Sequence, residues 1–175
     1  MNDLIQRMIR AAKLDVTLYE EVEADTTAFK PALAVVAISS IASGIGNLYV
    51  GFGTMIGTLI ISLIAWFVWS YVIFLVGTKL LPEPQTSADY GQLLRCIGFA
   101  SAPGVICVLG IIPPLNALVF FTAGIWMIVA TVIAVRQALD YTSTGRAVGV
   151  CVLGFLAFLV IQAILGVLLI PFHSA

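Results

Sequence analysis

Charge along this chain is confined to islands, and the apolar stretches between them set the architecture. No Asp, Glu, Lys, Arg or His occurs at residues 31–78 or 96–135, and only His173 interrupts residues 147–175. Those stretches hold 48, 40 and 29 residues. A bilayer core of about 30 Å takes about 20 helical residues per crossing, so the first two stretches each hold two crossings and the third holds one. Helix breakers fall near the middle of both double-length stretches, Gly51-Phe52-Gly53-Thr54 in the first and Pro113-Pro114-Leu115-Asn116 in the second. The pattern predicts spans at about 32–50, 55–77, 93–112, 116–136 and 148–170. Runs such as Ile60 to Val76 are apolar on every face rather than alternating, which selects helices over a closed β-barrel. The expected fold class is all-α, a polytopic membrane helical bundle of five transmembrane helices over residues 31–175, with an arm at 1–30.

Composition agrees. With 61% of residues hydrophobic, 10% charged and a mean hydropathy of +1.12, the chain lies far from soluble proteins. Eight Lys+Arg against nine Asp+Glu leave no surplus for a phosphate polyanion, which excludes nucleic acid as a partner class. Five crossings put the arm and the loops at 78–92 and 137–147 on one side. That side carries all eight Lys and Arg, counting Arg95 and Arg136 at its interface. Positive flanks stay in the cytoplasm, so the expected orientation is N-in/C-out. The first thirty residues lack the unbroken apolar core and cleavage site of a secretory signal.

In the arm, Leu4, Ile5, Met8, Ile9 and Ala12 recur at helical spacing, with Arg7, Arg10 and Lys13 on another side. Such an amphipathic cytoplasmic helix either lies in the headgroup layer or docks its stripe on the ends of the spans. Glu20, Glu21, Glu23 and Asp25 follow as a solvated acidic face or a partner-binding patch.

Asp89-Tyr90-x4-Arg95-x2-Gly98 reappears as Asp140-Tyr141-x4-Arg146-x2-Gly149, each time where a span leaves the cytoplasm. Six residues of helix turn through about 600°, so pairing across the two copies, Asp89 to Arg146 or Asp140 to Arg95, is expected rather than within one. Arg136 and Asp140 stand four apart and form a weaker expected pair. Pro82-Glu83-Pro84 stops span two, and Ser87 or Asp89 can cap the next helix. Small residues in Ser39-x3-Ser43, Ser40-x3-Gly44, Ala42-x3-Gly46 and Gly53-x3-Gly57 predict close helix contacts. Pro103, within Ala100-Ser101-Ala102-Pro103-Gly104, predicts a mid-span kink beside which Asn47 and Gln162 could line a cavity.

No ionisable group sits at a predicted bilayer centre, which argues against proton-coupled transport. Cys96, Cys107 and Cys151 lie in spans without C-x-x-C spacing, and His173 has no second ligand nearby, so neither a metal nor a cofactor is expected. No nucleophile motif or Walker sequence occurs, and the expectation is a protein that is not an enzyme.

Leu18-Tyr19-Glu20-Glu21-Val22-Glu23-Ala24-Asp25, the stretch from Leu93-Leu94-Arg95-Cys96 to Ala102-Pro103-Gly104, and Arg136-Gln137-Ala138-Leu139-Asp140-Tyr141 together resemble bacterial members of the Yip domain family (Ypt/Rab-GTPase-interacting proteins). The resemblance covers nearly the whole chain. It implies a multi-pass protein of the bacterial inner membrane whose task is undefined. Eukaryotic relatives work with Rab-type GTPases, but their Asp-Leu-Tyr-Gly-Pro signature is missing here, and that partner is not carried over. Two readings result. One is a noncatalytic scaffold that meets a protein partner or lipid headgroups through Tyr19, Asp89, Tyr90, Arg95, Arg136, Asp140, Tyr141 and Arg146. The other is a small-solute permease or channel, alone or as a homo-oligomer, whose path passes Asn47, Pro103 and Gln162.

Overall fold

The structure is a computed structural model in which the described residues are 2–169, with side chains described for 3–49, 51, 53 and 55–161. His173 and the side chain of Gln162 lie outside these. The described residues are helical, without a strand. In chain order they form α1 (Asn2–Ala12), α2 (Val16–Ala24), α3 (Phe29–Gly46), α4 (Phe52–Leu75), α5 (Tyr90–Ala100), α6 (Asn116–Ala138) and α7 (Thr144–Leu169). Five stretches are long and apolar enough to cross a membrane: Thr26–Gly46, Met55–Leu80, Tyr90–Ile111, Pro113–Ala138 and Thr144–Ile161. The expected count of five holds, and the boundaries shift by a few residues. At one end of the bundle lie the turns at 47–51 and 112–115. At the other, here called the charged end, lie the connections at 81–89 and 139–143.

Two spans depart from the regular α-helix. α4 closes in a π turn, Val76–Leu80, where Leu81 N–H reaches back to Val76 O. Beyond α5 the chain narrows into a ten-residue three-ten helix, Ala102–Ile111, with Pro103 near its start. The sequence predicts a kink at Pro103, and it is there that the helix changes type. Proline has no N–H to complete an α-turn. Gly104 N–H then bonds Ser101 O at 2.9 Å, and the Ser39 hydroxyl donates to the same oxygen at 2.8 Å. Three-ten runs this long are uncommon. Its steeper rise carries these ten residues about 20 Å instead of about 15 Å, and its slim section admits α3 closely.

Small residues make that approach work. A Cβ on Gly46 would stand 2.0 Å from the backbone oxygen of Cys107, and one on Gly44 would stand 2.5 Å from Met55 Cγ. The predicted stripes on α3 are therefore real contacts. Gly53 and Gly57, by contrast, face open space within 4 Å, so the close contact expected of that pair is absent.

The arm is a two-helix hairpin packed along the bundle. Leu4, Met8 and Leu14 pack against the core, Ala11 is buried, and Ile5 and Ile9 stay exposed. Leu18, Tyr19 and Val22 of α2 are fully buried against α5 and α6. The acids are not simply a solvated face: Arg7 pairs with Glu21 at 2.9 Å and Asp25 at 3.1 Å, and Arg10 with Asp15 at 2.8 Å and Glu21 at 2.7 Å. These bridges zip α1 to α2. The Trp126 indole N–H donates to Ala12 O at 2.8 Å, closing the carboxy-terminal end of α1 onto α6.

Candidate functional site: the platform at the charged end

Outside the hairpin, polar chemistry in the described part of this protein gathers where the 81–89 and 139–143 connections meet. Prolines on both sides hold Glu83 at the end of α4. Its carboxylate accepts from Thr142 N–H and Thr142 Oγ1, both at 3.0 Å, from the Gln85 amide, and lies 3.4 Å from Arg146 Nε. The Thr142 backbone donor, foremost among these, holds the Glu83 carboxyl below its ordinary range. Arg146 also donates to Pro82 O at 2.9 Å, and Gln85 to Asp140 O at 3.1 Å.

Tyr141 locks the two connections from beneath. It is buried, and its hydroxyl lies 2.9 Å from Gly77 O and 2.7 Å from Leu81 O, so its single proton serves carbonyls that the π turn leaves open. Asp140, just before Tyr141, takes a left-handed conformation, φ 53°. Arg136 staples the same loop through Tyr141 O, Thr142 O and Thr144 Oγ1. The expected Arg136 to Asp140 pair is not made.

Nor are the expected cross-copy pairs. Arg146 is taken by Glu83, and Arg95 donates to Val22 O at 2.9 Å and to Glu23 O. Arg95 is 7% exposed and meets α2 where that helix leaves its last carbonyls without helical donors. The two copies of the echo also differ in form. Asp89 caps α5 in a reciprocal capping box with Gln92, whereas Asp140 sits in a loop four residues before α7 begins. Identical letters at equal spacing therefore carry different jobs.

Two clefts open on this face. One, of about 340 Å³, is lined by Glu20, Glu23, Arg136, Gln137, Asp140 and Tyr141. Glu20 accepts from Gln137 at 2.9 Å, and Glu23 from Gln92 at 3.2 Å. Burial, followed by the charge of Asp140, pushes the Glu23 carboxyl up to about 7, with Arg95 opposing. The other cleft, of about 530 Å³, lies between α4 and α5 and includes Lys79, Thr86, Ser87 and Asp89. Tyr90 donates to Phe67 O at 2.8 Å beside it. Among the candidate contacts, then, Tyr19 and Tyr141 are core residues, Arg95 is buried, and Asp89, Asp140 and Arg146 reach the surface. Glu83 was missed; its signal was being the one acid between Asp25 and Asp89, set between prolines.

Inside the bundle, a cavity of about 450 Å³ is lined by all five spans. The Ser39, Ser40, Ser43 and Ser101 hydroxyls there donate to backbone carbonyls, Ser62 and Thr131 add two more hydroxyls, and Trp66, Trp69, Met127, Phe155 and Phe158 make most of the wall apolar. Ser101 and Gly104, either side of Pro103, line it. Asn47 instead ends α3, donating to Ser43 O at 3.2 Å. Among the described residues no group of His, Cys, Asp and Glu is arranged to hold a metal.

The Yip1 domain family model matches residues 17–165, which takes in α2, the five spans and every part of the platform. The chain belongs to the Yip1 domain family. No curated protein and no solved structure matches it. The family match and the five apolar helices make this Yip1-domain protein a multi-pass membrane protein in contact with lipid. The match begins inside the hairpin, at the residue before Leu18.

Proposed function

We propose that this Yip1-domain protein is a noncatalytic scaffold of the bacterial inner membrane, oriented N-in/C-out, whose charged end meets protein partners or lipid headgroups. One observation carries the reading: Glu83, Tyr141 and Arg146 tie two connections into a fixed polar surface with two clefts, while the cleft among the spans is walled mostly by apolar groups and carries no charge. A surface held in one geometry loses little entropy on binding. Lys79 and the Asp140 carboxylate, neither of them in an ion pair among the described residues, remain available for recognition. Affinity capture in mild detergent tests this with wild type against Lys79→Ala combined with Asp140→Asn, two exposed positions that leave the hairpin and the lock in place. A specific partner lost from the double variant supports the scaffold, and identical captured proteins reject it.

The central cavity favours a second reading, a small-solute permease or channel acting alone or as a homo-oligomer. Reproducible solute flux in proteoliposomes, abolished by Pro103→Ala, would select it over the scaffold.

A further inference from the structure

We propose that the α1–α2 hairpin holds a wedge of water and zwitterionic lipid headgroups within the bilayer on one side of the protein, thinning the adjacent leaflet. The inference rests on the five helices crossing a bilayer, not on the scaffold reading. Depth comes first. Trp126 bonds Ala12 O, and ten residues of α6 separate Trp126 from Arg136 at the charged end. At 1.5 Å per residue that is about 15 Å, half of a hydrocarbon core about 30 Å thick. The turn between α1 and α2 thus reaches toward the depth of the bilayer centre.

The outward surface at that depth is polar. Lys13 and Thr17 are exposed there, and Arg10 and Asp15 remain about a third exposed even while paired, whereas Glu20 lies further out, where it meets Gln137 at the charged end. Lys13 has no ion-pair partner among the described residues. Around α6 at the same depth the exposed residues are Phe121, Thr122, Ile125, Ile128 and Val129. The belt along α6 therefore carries no charge, whereas it is interrupted by charged groups beside α5, whose buried inner half the hairpin covers. Acyl chains cannot solvate a free ammonium or the backbone of a turn, so water must reach them or the cost is several kcal/mol per group.

Water has an open route. The hairpin is continuous with the charged end, so the aqueous layer needs only to follow α1 and α2 inward. A second copy of the chain fits this surface less well, because its exposed apolar groups are only the Ile5 and Ile9 pair and Val16, flanked by polar groups. Residues 2–25 carry three cations and six anions, which disfavours anionic lipid and suits headgroups that present an ammonium.

The test measures labelling by a membrane-impermeant maleimide in phosphatidylcholine proteoliposomes, with wild-type labelling subtracted. Lys13→Cys is compared with Thr142→Cys on the platform and Ile125→Cys on the lipid-facing side of α6. All three sites are exposed, so the substitutions spare the core. Lys13→Cys should label within about threefold of Thr142→Cys, with Ile125→Cys at least about a hundredfold slower, the penalty for bringing a charged reagent to the bilayer centre. Thr17→Cys gives a second, independent reading at the tip. If both tip positions label at rates nearer that of Ile125→Cys, lipid tails or a second copy cover the hairpin and the proposal is overturned. A Lys13→Cys disulfide dimer forming in place of labelling overturns it equally.

Discussion

Arg95 is the residue on which docking of the hairpin should turn. Its guanidinium supplies donors to Val22 O and Glu23 O, carbonyls that α2 leaves without helical donors at its end, and its positive charge faces the negative end of that helix. Each hydrogen bond from a charged donor contributes about 1.5–3 kcal/mol. Removing both, with water partly re-solvating the carbonyls once the helix lifts, should cost docking about 3 kcal/mol, which is about a hundredfold in the open population. Cys96 reports on that population, because its thiol is fully buried under the hairpin and donates to Tyr19 O at 3.5 Å. Modification of Cys96 by a small permeant maleimide, followed by peptide mass spectrometry, reads how often α2 lifts away. Arg95→Ala should label about a hundredfold faster than wild type. Arg95→Lys, which keeps the charge but lacks the fork, should fall about midway on a logarithmic scale. Cys107, buried on the three-ten helix where it meets α3, serves as the internal control and should keep its wild-type rate. Equal acceleration of both thiols would mean general unfolding, and no acceleration of Cys96 would refute the capping role.

The remaining predictions concern packing, pH and the platform. Gly46→Ala should lower the melting temperature in detergent through a cost of about 1–3 kcal/mol, because its new methyl meets a backbone oxygen that cannot rotate away; Gly57→Ala, facing open space, should be neutral or raise it. Glu23, lifted to about 7 from 4.5 by burial and the Asp140 charge, takes up a proton on folding between those values, so its contribution is present below about pH 4.5 and is lost as pH rises through 7. Cys96 should therefore be better protected at pH 5.5 than at pH 8, by on the order of 1 kcal/mol after allowing for solvent screening, and Glu23→Gln should remove the difference. Below about pH 4 the sign reverses, because Arg10 holds Asp15 down to about 2 and the Arg7 to Asp25 bridge is lost on protonation. Glu83→Gln should raise trypsin cleavage after Arg146 in detergent by detaching the 139–143 connection, and Tyr141→Phe should do so by orphaning Gly77 O and Leu81 O; unchanged cleavage in both would dismiss the lock.

The five crossings were legible because hydrocarbon admits few charges, so a gap between charges measures a helix or a pair of helices with no knowledge of contacts. The α3 contacts at Gly44 and Gly46 were legible for a similar reason, since small residues in lipid mark where another backbone comes close. Gly53 and Gly57 show where that inference stops: spacing states that an approach is permitted, and only the partner's path decides whether it occurs. The platform was less legible because its bonds are to backbone. Arg95, Arg136, Tyr141 and Arg146 were all singled out, with Asp89 or Asp140 sought as the partners of the arginines; Arg95, Arg136 and Tyr141 instead serve carbonyls that a helix end, a loop or a π turn leaves open, and Arg146 divides between Pro82 O and a different carboxylate, Glu83. Side-chain letters cannot display those acceptors, since every residue carries one and only the fold decides which are spent.

The doubled Asp-Tyr-x4-Arg string makes the same point about mechanism. In its first copy the Asp caps a helix and the Tyr begins it; in its second the Asp turns the chain through a left-handed conformation and the Tyr is driven inward as a lock. What decides between these outcomes lies outside the string. Gln92, three residues after Asp89, completes a capping box, while Ser143, three after Asp140, offers no amide to return the bond. Asn, Asp and Gly tolerate the left-handed region at low cost, so the uncapped Asp140 is free to take it. A Ser143→Gln exchange tests this directly. If capping chemistry chooses the conformation, the added amide should pull α7 to begin earlier, withdraw Tyr141 from Gly77 O and expose the 139–143 connection to trypsin. If cleavage is unmoved, the docking of Tyr141 under the π turn dominates, and the loop is held by its lock rather than by its local sequence.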